Sequence, residues 1–279
     1  MLLQERLIER VRELCLHDDR LVAAMMYGSF TQGEGDEYSD VEFVLFFEDE
    51  ALASVAPCEW VGRVAPVELC FVNEFGNLAV VWESLVRGEF HFDPASRMGV
   101  VEGWRDTAML PSVEAALILD RTGELTRRLA GLVGSPVERG APEQVQSLLD
   151  SYLNWMLFGC NVLARGEHAR ALELLGAVGR YLLWMARLQE GCVHHWPTPS
   201  RALEADLSPE SYGRYAACTA RLDPAELRAA HRSAWTWGVE MATALAAEHG
   251  LDPRVDLLDR IGERVEAATS INVDAQLRE

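Results

Sequence analysis

Tyr27-Gly28-Ser29-Phe30-Thr31-Gln32-Gly33-Glu34-Gly35-Asp36-Glu37-Tyr38-Ser39-Asp40-Val41-Glu42 joins two apolar runs and carries the polar groups that give the chain its chemistry. Ahead of it, Leu21 to Tyr27 is compact and hydrophobic. Behind it, Val41-Glu42-Phe43-Val44-Leu45-Phe46-Phe47 is rich in β-branched and aromatic residues. Both read as buried strands of one sheet. Asp40 and Glu42 stand two apart at the head of the second strand, so their carboxylates project from one face while Val41 points into the core. Gly28-Ser29 closes the first strand where the chain turns into a helix. A glycine there lets backbone N–H groups and the Ser29 hydroxyl come close to a phosphate.

Working outward, Leu3, Leu7, Val11 and Leu14 recur at helical spacing and predict an amphipathic first helix ending near His17-Asp18-Asp19. Val67 to Val72 and Leu78 to Trp82 are further strands, with Asn73-Glu74-Phe75-Gly76-Asn77 as the turn between them, and Glu89 to Phe92 adds a short one. From Pro142 the pattern becomes helical: Gln144 to Ala164, then Glu167 to Gln189 after the break at Arg165-Gly166. Asp223-Pro224-Ala225-Glu226 starts a third long helix that runs to Gly250, and Leu251-Asp252-Pro253 starts a last one that fades before Ser270. Gly131 to Pro142 is the linker, so the expected domains are 1–135 and 136–279. The fold class is α+β, a mixed sheet with helices followed by a helical bundle.

The formal charge of −19 repels nucleic-acid phosphates and attracts metal ions and basic small molecules, so no nucleic-acid partner is expected. No apolar run is long enough to span a membrane, and Glu5-Arg6 comes too early for a secretory signal, which sets a cytoplasmic expectation. The six cysteines form no CxxC pair and are expected as reduced thiols.

Two carboxylates beside a phosphate seat suit transfer of a nucleotidyl group. The triphosphate is strongly anionic and a hydroxyl is a poor nucleophile, and divalent magnesium, a hard ion bound by carboxylate oxygens, remedies both. A third acid is needed. Glu89, in Arg87-Gly88-Glu89-Phe90-His91-Phe92, is favoured because it borders a loop, with Glu68 as the alternative. Arg170 and Arg187, on the second long helix, are candidate contacts for the triphosphate. His194-His195 beside Cys192 reads as a surface loop, and Tyr152, Trp155, Tyr181, Trp184 and Trp235 read mostly as core.

The order of Gly28-Ser29 and Asp40-x-Glu42 resembles the DNA polymerase β-like nucleotidyltransferase superfamily. Met25 to Asp36, Ser39 to Phe43, Arg87 to Phe92, Asn161 to Leu175 and Thr219 to Asp223 are similar to the lincosamide nucleotidyltransferases within it. That resemblance covers about residues 1 to 265. It implies a polymerase β-like N-terminal domain before a helical bundle, a homodimer, and transfer of AMP or another nucleotide to a drug hydroxyl. It also implies Asp40 and Glu42 as magnesium ligands, Ser29 on the triphosphate of ATP, and Glu89 as general base or metal ligand. Aminoglycosides are the second acceptor class, and an enzyme that adds AMP to a partner protein in a toxin–antitoxin pair is the other alternative.

Overall fold

The computed structural model describes residues 1–105, 107, 110–134 and 138–270. The chain divides into two compact units, Met1–Val137 and Glu138–Glu279. Residues 135–137 of the expected linker and the polar tail from 271 lie outside the described residues.

In the first unit the order is α1 (Leu3–His17), β1 (Leu21–Tyr27), α2 (Ser29–Gln32), β2 (Val41–Phe47), α3 (Asp49–Leu52), α4 (Pro57–Gly62), β3 (Val67–Val72), β4 (Leu78–Trp82) and β5 (Arg87–Pro94). A 3-10 segment (Ala95–Trp104), α5 (Val113–Ala116), β6 (Leu117–Asp120) and α6 (Glu124–Ala130) complete it. The six strands form one sheet in the order β3-β4-β5-β2-β1-β6. It is mixed: β2 pairs parallel with β5, and the other neighbouring pairs are antiparallel.

Along β2 the side chains alternate between two cores. Val41, Phe43, Leu45 and Phe47 join Leu7, Val11 and Trp60 on one side. Val44 and Phe46 join Met98, Val101, Leu125 and Leu129 on the other. Phe43, Phe46, Phe47 and Phe90 are fully buried, each worth roughly 2–3 kcal/mol of transfer free energy. The second core stops short of the N-terminal end of β2, and Asp40 and Glu42 occupy the face it leaves uncovered.

Three expectations change in this unit. The last strand is longer than Glu89 to Phe92, because its whole length pairs with β2 from Val41↔Gly88 to Phe47↔Pro94. β6, a four-residue strand that directly follows α5, was not expected, although Leu117-Ile118-Leu119 is apolar, and it pairs with β1 at the far edge. Cys58 and Cys70 are not reduced thiols but a disulfide, because α4 packs on β3 and brings the two Cα atoms to 5.9 Å. The other four are free, and burial pushes the thiols of Cys15, Cys160 and Cys218 up to about 12.

The second unit is helical: α7 (Pro142–Ala164), α8 (His168–Gln189), a 3-10 turn (Val193–His195), α9 (Leu203–Asp206), α10 (Pro209–Ala217), α11 (Pro224–Glu248) and α12 (Val255–Thr269). α7 ends at Gly166, whose φ of 76° permits the closing bond from its N–H to Leu163 O at 2.9 Å. Asp223 caps α11 by accepting from the amides of Ala225 and Glu226. α12 begins at Val255, later than expected. Asp252 accepts from the Arg254 amide in a local turn, and Arg254 itself takes a left-handed conformation with φ 53°. Among the described residues no helix is long and apolar enough to cross a membrane.

Candidate active site

β1, β2 and β5 place three polar side chains in one row. Tyr27 lies opposite Glu42 in the antiparallel β1–β2 register, and Glu42 lies beside Glu89 in the parallel β2–β5 register. Two positions upstream on the same face stand Asp40 and Arg87. The loop leading to Asp40 is held from beneath: buried Gln4 on α1 donates to Glu37 O at 2.8 Å and to Ser39 O at 3.2 Å. Ser39 and Asp36 close the turn through their side chains.

Gly28 meets a steric requirement as well as a conformational one. It has φ 77° and ψ −156°, a region open to glycine. A Cβ there would stand 1.8 Å from Oε2 of Glu42. The backbone at the start of α2 therefore lies flat against a carboxylate of the row. Next to it, Ser29 Oγ is buried without a hydrogen-bond partner, as is Thr31 Oγ1. A buried hydroxyl with an unused bond has the capacity to meet an incoming oxygen.

Glu89 accepts from the Tyr27 hydroxyl at 3.1 Å and from Asn77 Nδ2 at 3.0 Å, both on Oε1. The Tyr27 hydroxyl oxygen is also 3.0 Å from His91 Nε2. With one proton to give, the phenol donates to Glu89 and accepts from the imidazole. Burial, and then the charges of Glu89, Glu42 and Asp40, push the Tyr27 phenol far above its ordinary value, so it stays a donor. Burial lowers His91 against the opposing pull of Glu89 and Asp93, which favours the neutral ring. Trp104 packs edge-on to Tyr27 with ring centres 5.3 Å apart, and its ring centre is 5.8 Å from that of His91.

A hard divalent cation fits this donor set. Asp40, Glu42 and Glu89 offer only carboxylate oxygens, and Arg87 already places a positive charge against Asp40 at 2.7 Å.

The other expected residues have surroundings of their own. Glu68 is exposed on the edge strand β3, separated from β2 by β4 and β5. Arg187 was expected on the triphosphate, and this is corrected: its side chain is 0% exposed within the helical unit. Its guanidinium donates to Pro199 O, Cys192 O, Arg201 O and Asp206 Oδ2 at 2.7–2.9 Å, which engages four of its five N–H groups in a fully buried setting. His195 is likewise buried rather than on a surface loop, with Nδ1 2.6 Å from the same Asp206 oxygen. Burial alone would raise the Asp206 carboxyl, but the His195 and Arg187 bonds outweigh it and hold it low. Arg170 pairs with Glu167 at 3.2 Å and lies over the Phe158 ring. Sequence reasoning passed over Tyr27, Asn73, Asn77 and Trp104 as participants. Only Tyr27, adjoining Gly28, carried a local signal.

Residues 141–264 match the family described as lincosamide nucleotidyltransferase-like, C-terminal domain. No curated protein matches the chain. The crystal structure of an aminoglycoside 6-adenyltransferase from Bacillus subtilis is similar at 13% identity and a TM-score of 0.42, over 95% of this chain and 97% of that one. A nucleotidyltransferase-like protein from Exiguobacterium sibiricum 255-15 is similar at 13% identity and a TM-score of 0.40, over 88% of this chain and 77% of that one.

Proposed function

We propose that this chain, whose residues 141–264 match the lincosamide nucleotidyltransferase-like C-terminal domain, transfers a nucleotidyl group, AMP from ATP, to a hydroxyl of a small molecule. The observation that carries the proposal is the row of acids: Glu42 and Glu89 side by side in register, with Asp40 upstream on the same face. Asp40 and Glu42 hold magnesium, with Glu89 as the third acid. The bound ion would offset triphosphate charge and acidify the attacking hydroxyl.

The chain's own residues supply the remainder. Gly28, bare of a side chain, lets the triphosphate come close to the carboxylates, and Ser29 offers its unused hydroxyl hydrogen bond. The acceptor hydroxyl attacks the α-phosphorus, its proton passes to Glu89, and pyrophosphate departs.

Lincosamides are the leading acceptor, supported by the family of the helical domain. Aminoglycosides are the second, supported by the charge of −19, which draws polycations. The test is incubation with magnesium, ATP and a panel of both drug classes, followed by adduct mass. A nucleotide adduct on a lincosamide is expected, one on aminoglycosides alone selects the second class, and none on any drug refutes the antibiotic-modifying reading. Pairing into a homodimer belongs to the same proposal and is read from the mass by light scattering.

A further inference from the structure

The β3–β4 turn reaches into the site. Ala79 lies directly across from Glu89 in the β4–β5 register, so Asn77 is its diagonal neighbour on the same face. Asn77 Nδ2 donates to Glu89 Oε1 at 3.0 Å, and Asn73 Nδ2 approaches Oε2 at 3.4 Å. The turn that presents these amides is itself fixed. Asn73 Oδ1 accepts from the amides of Phe75 and Asn77 at 3.0 and 2.9 Å, and Asn73 N donates to Asn77 O at 2.8 Å. Asn73 therefore uses one end of its side chain to shape the turn and aims the other at the acid.

The two oxygens of Glu89 are consequently unequal. Oε1 accepts from both Tyr27 and Asn77, which fills its two lone-pair sites. Oε2 has the longer contact from Asn73 and, 4.0 Å away, the guanidinium of the exposed Arg87. The terminal torsion of a glutamate is broad, so a carboxylate with no donors on one side turns freely. Two donors converging on one oxygen, Tyr27 from β1 on the far side of β2 and Asn77 from the turn ahead of β4, stop that rotation.

We propose that Asn77 is a positioning residue: with Tyr27 it occupies Oε1 of Glu89 and so presents Oε2 to the acceptor hydroxyl. Asn73 supports it by holding the turn. The inference rests on the reading of Glu89 as the proton acceptor in the proposed transfer. A turn that reads in sequence as a plain hairpin connection then belongs to the catalytic apparatus.

The experiment compares wild type, Asn77→Ala, Glu89→Gln and the double variant for nucleotidyl transfer to whichever drug the wild type modifies, together with the crystal structure of Asn77→Ala. Asn77→Ala is expected to lower kcat about tenfold, the size of one hydrogen bond to a charged group, with the KM for ATP unchanged. In the Glu89→Gln background the same change is expected to have no further effect, because Asn77 acts through Glu89. In the crystal the Glu89 carboxylate is expected to have turned. Equal loss in both backgrounds, or a Glu89 carboxylate that stays in place, overturns the proposal. Asn77→Leu keeps the size while removing the donor without adding charge and serves if the alanine variant does not fold. If the wild type modifies no drug, the reading of the reaction fails on its own. The position of Glu89 in the crystal still decides whether Asn77 sets it.

Discussion

Arg87 donates through Nε and Nη2 to a single oxygen of Asp40, Oδ2, at 3.1 and 2.7 Å. The same Nη2 lies 4.0 Å from Glu89 Oε2, so one fixed cation stands between two of the three acids. Arg87 is more than half exposed, and such a pair contributes at most about 1 kcal/mol to stability. A metal ion bound at Asp40 must compete with it. Arg87→Ala is expected to leave the melting temperature unchanged while tightening Mn2+ binding to the nucleotide-free protein about two- to fivefold, measured by electron paramagnetic resonance. Unchanged affinity would show that Asp40 does not hold the ion.

Gly28→Ala brings a methyl group into the Glu42 carboxylate and forces a side chain onto a backbone that only glycine adopts readily. The variant is expected to lose transfer activity and at least about 2 kcal/mol of stability, seen in urea unfolding of the sheet unit. Normal activity would mean that the backbone need not approach Glu42 this closely.

Arg187 belongs to stability rather than to phosphate binding. Removing it takes away one of the two buried partners of Asp206, leaving His195, and deprives several carbonyls of their donors. Arg187→Ala is expected to cost about 3–5 kcal/mol, read by circular dichroism of the helical transition, without changing ATP affinity in protein that remains folded. A lost affinity for ATP with an unchanged melt would reverse this assignment.

Acid should loosen the helical unit through His231. The ring is buried, its Nδ1 is tied to Leu227 O at 2.8 Å, and its Nε2 has no hydrogen-bond partner. Burial lowers its proton affinity below the ordinary 6.5, against a weaker opposing effect from the Leu227 carbonyl. The unfolded chain therefore binds the proton first as pH falls. Stability is undiminished above about pH 6.5 and declines below it, by up to about 1.4 kcal/mol per pH unit, until the folded state protonates as well. Unfolding free energies of wild type and His231→Gln between pH 5 and 7 check this, with the shallower slope expected in the variant.

What could be read from the sequence depended on how local each signal was. Asp40 and Glu42 were legible because a spacing of two on a strand fixes a shared face whatever the fold around it. Val41 to Phe47 was legible because seven apolar or half-buried positions leave little alternative to a strand. Asn73 and Asn77 were legible only as turn residues, since their amides serve a carboxylate 12 to 16 positions away that strand pairing alone brings near. Cys58 and Cys70 depend in the same way on α4 meeting β3. Arg187 was misread because helical periodicity does not report the loop carbonyls from 192 to 201 that close over it.

The parallel pairing of β2 with β5 ties the chemistry to the folding of the sheet. Side chains on a strand alternate with a period of two, so a one-residue slip of β5 against β2 would turn Glu89 into the core and Phe90 out to water. The buried phenylalanines make that slip prohibitively unfavourable. A single inserted or deleted residue within either strand should thus be lost as an unfolded protein rather than persist as a folded, inactive one. Activity can drift in this protein by exchange of side chains, while the frame that aligns its acids is protected by the same interactions that keep the sheet folded.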